Sequence, residues 1–257
     1  MSLFDLSNKV AIVTGSSRGI GKAIAMHMAL HGARVVISSR KAESCAAVVA
    51  EIAAAGGTAF AHPAHVGHKE ELEALVDATI ARWGRIDILV CNAATNPHFG
   101  PSISIKDEAL EKVIHTNLYS NIWLCNLVLP GMAERSEGVV IIISSVAGFS
   151  GTSLLGAYAL SKAADMQLAR NLAVEWGPRN VRVNCIAPGV IRTHFAKALW
   201  ADPQREAALA RRYPLRRIGE PEDVAGIAVM LAARAGSFIT GQSIVVDGGG
   251  LISGELT

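Results

Sequence analysis

Short uninterrupted apolar runs alternate along the chain with longer stretches in which apolar residues return every three or four positions. The runs are KVAIVTG (9–15), ARVVISS (33–39), a weaker TAFAH (58–62), IDILVCN (86–92), GVVIIISS (138–145), VRVNCIA (181–187) and SIVVDGG (243–249). Runs without polar interruption suit strands buried on both faces. Between them, Ile20, Ile24 and Met28 mark a helix that closes at Gly32, and an alanine-rich helix spans about 43–55. A third helix begins near Lys69 and ends near Trp83 and Gly84, and a long one covers roughly 107–135 with a bend expected at Pro130. The helix that contains Tyr158 places Leu160, Ala164, Leu168 and Leu172 along an expected core face and stops at Gly177-Pro178. This alternation predicts an α/β fold, a sheet of about seven parallel strands with helices on both faces, in one domain over 1–257. The polar, helical insertion at about 192–218 follows the sixth strand, where a substrate lid would sit.

The 257 residues are 51% hydrophobic and 18% charged, enough for a large core and incompatible with a disordered chain. A net charge of +2 without a broad basic tract argues against a nucleic-acid partner. Cys45, Cys91, Cys125 and Cys185 are far apart and read as buried thiols of a reducing compartment. The N-terminus lacks a secretion signal, and no run approaches the ~18 apolar residues of a membrane span. The final GELT is neither a peroxisomal nor an endoplasmic-reticulum address. A soluble cytoplasmic protein without a membrane partner is the expectation. His62, His65 and His68 recur every three residues, but Pro63 and Gly67 interrupt them and no ligand set is completed nearby, so no metal is expected.

The first strand runs into TGSSRGIGKAIA, where Gly15, Gly19 and Gly21 stand between strand and helix. Glycines there permit a tight turn and a close backbone approach to a pyrophosphate, which the helix N-terminus then faces. Gly15, Ser17, Arg18, Gly19, Ile20 and Gly21 form the candidate phosphate cradle of a Rossmann-type dinucleotide site. About twenty residues on, an NAD site usually carries an acid for the ribose 2′-OH. This chain has Ser39, Arg40 and Lys41, with no acid before Glu43. A guanidinium grips a 2′-phosphate that a carboxylate would repel, so NADP(H) is the expected cofactor.

Tyr158 precedes Lys162 by four residues, which on a helix puts their Cβ atoms ~5–6 Å apart on one face. Ser145 ends the fifth strand, and Asn117 lies on the preceding long helix. With TG-x-x-x-G-x-G (14–21), Asn92-Ala93-Ala94 and Pro188-Gly189, these residues stand in the order and spacing of the short-chain dehydrogenase/reductase family, which nearly the whole chain resembles. The resemblance implies catalytic Asn117, Ser145, Tyr158 and Lys162. Tyr158 would exchange a proton with the substrate oxygen, favoured in its charged form by Lys162, and Ser145 would orient that oxygen. Lys162 would also hold the nicotinamide ribose, and Asn117 a water leading to bulk. Pro188, Gly189, Ile191 and Thr193 would hold the carboxamide, and Asn92 and Ala93 would line the cofactor.

Two positions depart from the family pattern. His65 stands where an Asp commonly accepts from the adenine amino group, although Val66 can still pack on the ring; Ala94 replaces a common glycine. The fragments NAATNPHFGP, SKAA and LRRIGEPEDVAGI resemble the carbonyl and retinal reductase branch, which implies NADPH-dependent reduction of ketones and aldehydes. A 3-oxoacyl-acyl-carrier-protein reductase is the alternative, kept open by Arg211, Arg212, Arg216 and Arg217; a non-catalytic NADPH sensor is a third. Phe195, Leu199 and Trp200 read either as an apolar substrate pocket or as lid packing, and the resemblance implies a homotetramer.

Overall fold

The computed structural model describes residues 2–253; the GELT segment read above as no targeting address lies outside them. Seven parallel strands stand in the order β3-β2-β1-β4-β5-β6-β7. They are β1 Val10–Thr14, β2 Arg34–Ser38, β3 Thr58–Ala61, β4 Ile88–Cys91, β5 Gly138–Ile143, β6 Val181–Pro188 and β7 Ser243–Val246. Every residue of β1, β4 and β5 is buried, which is why these strands read as unbroken apolar runs. Edge strand β3 is buried at none of its four positions, and its sequence signal is correspondingly weak.

Alternate strand residues feed two cores. Ala11, Val13, Val35, Ile37, Val90 and Ile141 pack with Ile24 and Met28 of α1 (Gly19–Leu30), Ile52 of α2 (Ala42–Ala54) and Val224 of α9 (Pro221–Ala232). On the other face, Ile12, Val36, Leu89 and Val140 pack with Leu72 of α3 (Lys69–Trp83), Leu124 of α5 (Ser120–Glu134) and Met166 of α6 (Gly156–Trp176). The chain builds β1 to β3 outward in one direction, then returns to start β4 on the other side of β1. That reversal opens a crevice between the carboxyl ends of β1 and β4, the usual ligand position in such sheets.

Two expectations need correction. The long helix is interrupted at His115–Tyr119, a π-helical turn between α4 (Asp107–Ile114) and α5, whereas Pro130 lies inside α5. In that turn Thr116 O accepts from Ser120 Oγ at 2.6 Å and Asn117 O from Asn121 Nδ2 at 2.7 Å, both in competition with a regular ladder. On α6 the expected core face is rotated: Leu160 is 64% exposed, and Ala157, Ser161, Lys162, Asp165, Met166, Ala169, Leu172 and Ala173 are buried. The sheet-facing side of this helix is partly polar, so an apolar periodicity alone misplaces it.

Leu89→Ala, in the middle of β4, should lower the unfolding free energy by ~2–5 kcal/mol in urea titrations. Ile103→Ala, at a side chain that is 98% exposed, should stay within ~0.5 kcal/mol of the wild type.

Candidate active site

The crevice is laced together by side chains of both its walls. Thr14 Oγ1 accepts from Asn92 N at 3.0 Å and from Ala93 N at 3.1 Å, and Asn92 Nδ2 donates to Thr14 O at 2.8 Å and Gly15 O at 3.2 Å. This leaves no room beside the glycine loop. A Cβ on Gly15 would lie 2.9 Å from Asn92 Nδ2, and one on Gly21 would lie 2.5 Å from Gly15 O. Gly15 has φ +64°, a left-handed conformation that favours glycine. Gly19 starts α1 with its Cβ position 3.1 Å from Thr193 Cγ2, which brings Thr193, beyond β6, against the loop after β1. Arg18 precedes α1 without a side-chain cap, so the first N–H groups of the helix remain available to an anion. Ser17 and Ile20 flank this cradle, partly exposed. The donors and the cradle fit a dinucleotide pyrophosphate.

At the end of β2, Arg40 and Lys41 are exposed and Ser39 is partly buried, its Oγ 3.2 Å from Cys45 Sγ. Val66, past β3, is buried. His65 Nδ1 accepts from Gly67 N at 3.1 Å, and burial pushes its imidazole pKa down, helped by His68 and Arg40. A neutral ring with Nδ1 so engaged carries its proton on Nε2 and presents a donor. The same residue's backbone N–H donates to Glu71 at 2.6 Å, and its ring stacks on His68. Among the described residues no group of three or more His, Cys, Asp or Glu side chains is placed to hold a metal ion. Ala94 has no positive φ, so this backbone makes no demand for glycine there.

Ser145 follows β5 and caps a short turn, its Oγ accepting from Ala147 N at 3.2 Å. Tyr158 stands in the first turn of α6, its ring centroid 6.0 Å from that of Phe195. Lys162 is only 2% exposed, with Nζ 5.7 Å from the Tyr158 ring centroid. Its Nζ donates to Ile143 O at 2.8 Å and to Asp165 Oδ2 at 3.0 Å. Burial alone would pull the ammonium pKa down; the charge of Asp165 and the Tyr158 phenol outweigh it and hold it above the ordinary lysine value. Fully buried Asn117 accepts from Thr95 N at 2.8 Å and donates to Thr95 O and to Ser161 Oγ, both at 3.0 Å. Ser161 Oγ in turn donates to Tyr158 O at 2.7 Å, so Asn117 is tied to the helix that positions the tyrosine.

Pro188 ends β6, and Gly189 donates its N–H to Val246 O at 3.0 Å. Buried Ile191 bridges to Gly219, which closes the stem of the two-helix excursion α7 (Lys197–Trp200) and α8 (Pro203–Arg212). Arg192 anchors this excursion: it pairs with Glu206 and with Glu220, and its guanidinium lies 5.2 Å from the Trp200 ring centroid. Trp200 Nε1 donates to Thr193 O at 3.1 Å, so Trp200 packs the excursion, whereas Phe195 faces Tyr158. Of the basic cluster, Arg217 pairs with Asp223 at 2.6 Å and Arg216 donates to Arg211 O. Sequence reading missed Asp165, Asn121 and Arg192. The first two carried a signal, since Asp165 lies three residues past Lys162 and Asn121 four past Asn117, the spacings of shared helix faces.

Residues 15–250 match the family described as enoyl-(acyl carrier protein) reductase. The chain is 44% identical over 244 residues to the pig dehydrogenase/reductase SDR family member 4, covering 95% of this chain and 88% of the relative. It is 43% identical to the human protein of that name over the same length and the same shares. A 7α-hydroxysteroid dehydrogenase complexed with NADH and 7-oxo glycochenodeoxycholic acid superposes with a TM-score of 0.92, at 38% identity and 96% coverage of both chains. A putative NAD(P)-dependent gluconate 5-dehydrogenase from Beutenbergia cavernae with bound NADP gives 0.92 at 36% identity, covering 97% of this chain and 99% of the other. With its seven-stranded parallel sheet and these relatives, the chain belongs to the short-chain dehydrogenase/reductase family and is an oxidoreductase acting on CH–OH and C=O groups.

Proposed function

We propose that the protein is an NADPH-dependent reductase of ketones and aldehydes with apolar substituents. The observation that carries this is the buried Lys162 ammonium 5.7 Å from the Tyr158 ring centroid, at the carboxyl end of β5. NADPH held in the crevice would supply hydride to the carbonyl, whose oxygen takes on negative charge. Tyr158 gives its proton to the carbonyl oxygen as that charge develops. Lys162 makes the proton's departure easier by lending positive charge to the phenol oxygen, and Ser145 donates to the substrate oxygen. Asn117 would keep α6 and the loop after β4 in register and fix a water that leads protons to bulk. Phe195 would supply apolar surface beside Tyr158, with Leu199 in the same substrate lid at about 192–218.

Arg40, Lys41 and Arg18 would neutralise a 2′-phosphate, with no carboxylate at the end of β2 to oppose it. Gly15, Gly19 and Gly21 would admit the pyrophosphate, and Asn92, Ala93, Pro188, Gly189, Ile191 and Thr193 would line the nicotinamide end. His65 donates rather than accepts, so it would meet an adenine ring nitrogen and not the amino group, with Val66 packed on the ring. The acyl-carrier-protein reading loses ground because Arg217 is already paired. A homotetramer would cover exposed Tyr119 in the π-helical turn and Leu160 and Val174 on α6.

Tyr158→Phe should lower kcat by ~10²–10⁴-fold while leaving NADPH affinity, read by fluorescence titration, within a small factor. Initial rates with an aromatic α-dicarbonyl should be much faster with NADPH than with NADH. Arg40→Asp should reduce kcat/KM for NADPH by ~10–100-fold and spare NADH, as expected for lost charge-assisted hydrogen bonds. Equal wild-type rates with both cofactors would sink the 2′-phosphate argument and leave the Tyr158 chemistry standing.

A further inference from the structure

Beneath Tyr158 the structure holds a full charge that the proposed chemistry does not use. Asp165 is completely buried on α6, one turn past Lys162. Its Oδ2 accepts from Lys162 Nζ at 3.0 Å, and its Oδ1 accepts from Asn121 Nδ2 at 2.9 Å. The same Asn121 amide donates to Asn117 O at 2.7 Å, beside the π-helical turn. The carboxylate is therefore held at both oxygens, from α6 and from α5.

A lysine ammonium has three N–H donors. Two of those on Lys162 are taken by Ile143 O, fixed in β5, and by Asp165 Oδ2, whose carboxylate Asn121 holds from α5. The third is left for the side on which the Tyr158 ring lies. An ammonium so deeply buried without a counter-charge would shed its proton, and a neutral amine would lend no charge to the phenol. The other titratable groups packed around the pair are thiols. Cys185 on β6 donates its S–H to Asp165 O at 3.4 Å, and Cys91 on β4 lies against Cys125 on α5. Burial pushes Cys185 up, and its neighbour Cys125 together with burial pushes Cys91 up, so both remain neutral near pH 7. Burial also pushes the Asp165 carboxyl up, opposed by Lys162 and the Asn121 amide.

We infer that Asp165 is a positioning residue of the proton-transfer machinery: its buried carboxylate keeps Lys162 charged and aimed at Tyr158, with Asn121 holding the carboxylate from α5. The inference rests on reading Tyr158 and Lys162 as the proton-transfer pair. The working unit is then the row Tyr158–Lys162–Asp165, of which only Tyr158 touches substrate. Asp165 forms no bond to substrate and gives up no proton during turnover.

The direct test follows the Lys162 ammonium by NMR in the full-length protein labelled with ¹³Cε-lysine, its signal assigned by its loss in Lys162→Met. In the wild type it should stay charged beyond the ordinary lysine value of about 10.4. In Asp165→Asn it should titrate at least one unit lower, and Asp165→Glu should recover most of that shift. In parallel, the alcohol-oxidation rate of Asp165→Asn should half-rise at a pH at least one unit higher, a tenfold loss at fixed pH below that limb. A melting temperature that falls while the Lys162 titration and the pH profile stay put would show that Asp165 only packs the helix, and would overturn the inference. So would a wild-type Lys162 that titrates well below 10.4, even if Asp165→Asn fails to fold. Undiminished turnover by Tyr158→Phe is a separate outcome: it removes the proton-transfer reading, and the role of Asp165 with it.

Discussion

The crevice depends on how closely the loops after β1 and β4 approach one another. Thr14 Oγ1 accepts two backbone N–H groups from the β4 loop, and Asn92 returns a donor to each of two carbonyls of the β1 loop. Those bonds close only because Gly15 and Gly21 present no Cβ. A parallel sheet with helices on both faces sends every strand-to-helix loop to one edge. The reversal of strand order then leaves one place on that edge where neighbouring loops diverge. The glycine turn, the Asn92 clasp and Thr193 gather there for reasons of chain topology, before any chemistry is considered.

The second constraint is the burial of charge. A buried ion pair returns little net stability, because removing two charges from water costs about as much as their attraction gains. Lys162 and Asp165 are placed where apolar residues would fold as well, and the pair therefore calls for an explanation other than stability. What it provides is a charge of fixed sign and direction beneath a phenol. Asn117 and Asn121 extend the same logic: both are buried, both bond across elements, and the π-helical turn between α4 and α5 is the local cost of letting them do so.

The sheet was legible in the sequence because burial on both faces leaves no polar residue in β1, β4 or β5 except at their ends. The residues proposed for proton transfer stand out in the sequence because their spacings encode geometry: four residues for Tyr158 and Lys162, a strand end for Ser145. The rest escaped for physical reasons. Pro130 looks like a breaker, yet α5 runs through it, while the true interruption is produced by side-chain-to-backbone bonds that no apolar pattern reveals. Leu160 continues an apolar stripe and still faces outward, because the sheet side of α6 is filled by Ser161, Lys162 and Asp165 instead. Trp200 looked equally suited to a pocket or to packing, and the choice was made by Arg192, whose charge partners lie 14 and 28 residues away in sequence.

Charges at this site fall into two populations with different physics. Lys162 and Asp165 sit in the interior, where nearby water and salt do little to weaken their interaction. Arg18, Arg40 and Lys41 stand at the exposed rim, where the screening length is about 10 Å at 0.1 M salt and a lone pair of charges contributes little. In the proposed site the rim would tell one nucleotide from another by the sum of several weak contacts, and changing one residue there would retune preference without unsettling the fold. The interior pair cannot be tuned this way, since losing either partner leaves an uncompensated charge in the core. On the proposed reading, recognition is adjustable at the loops after β1 and β2, while proton transfer is anchored in the wall between α5, α6 and β5.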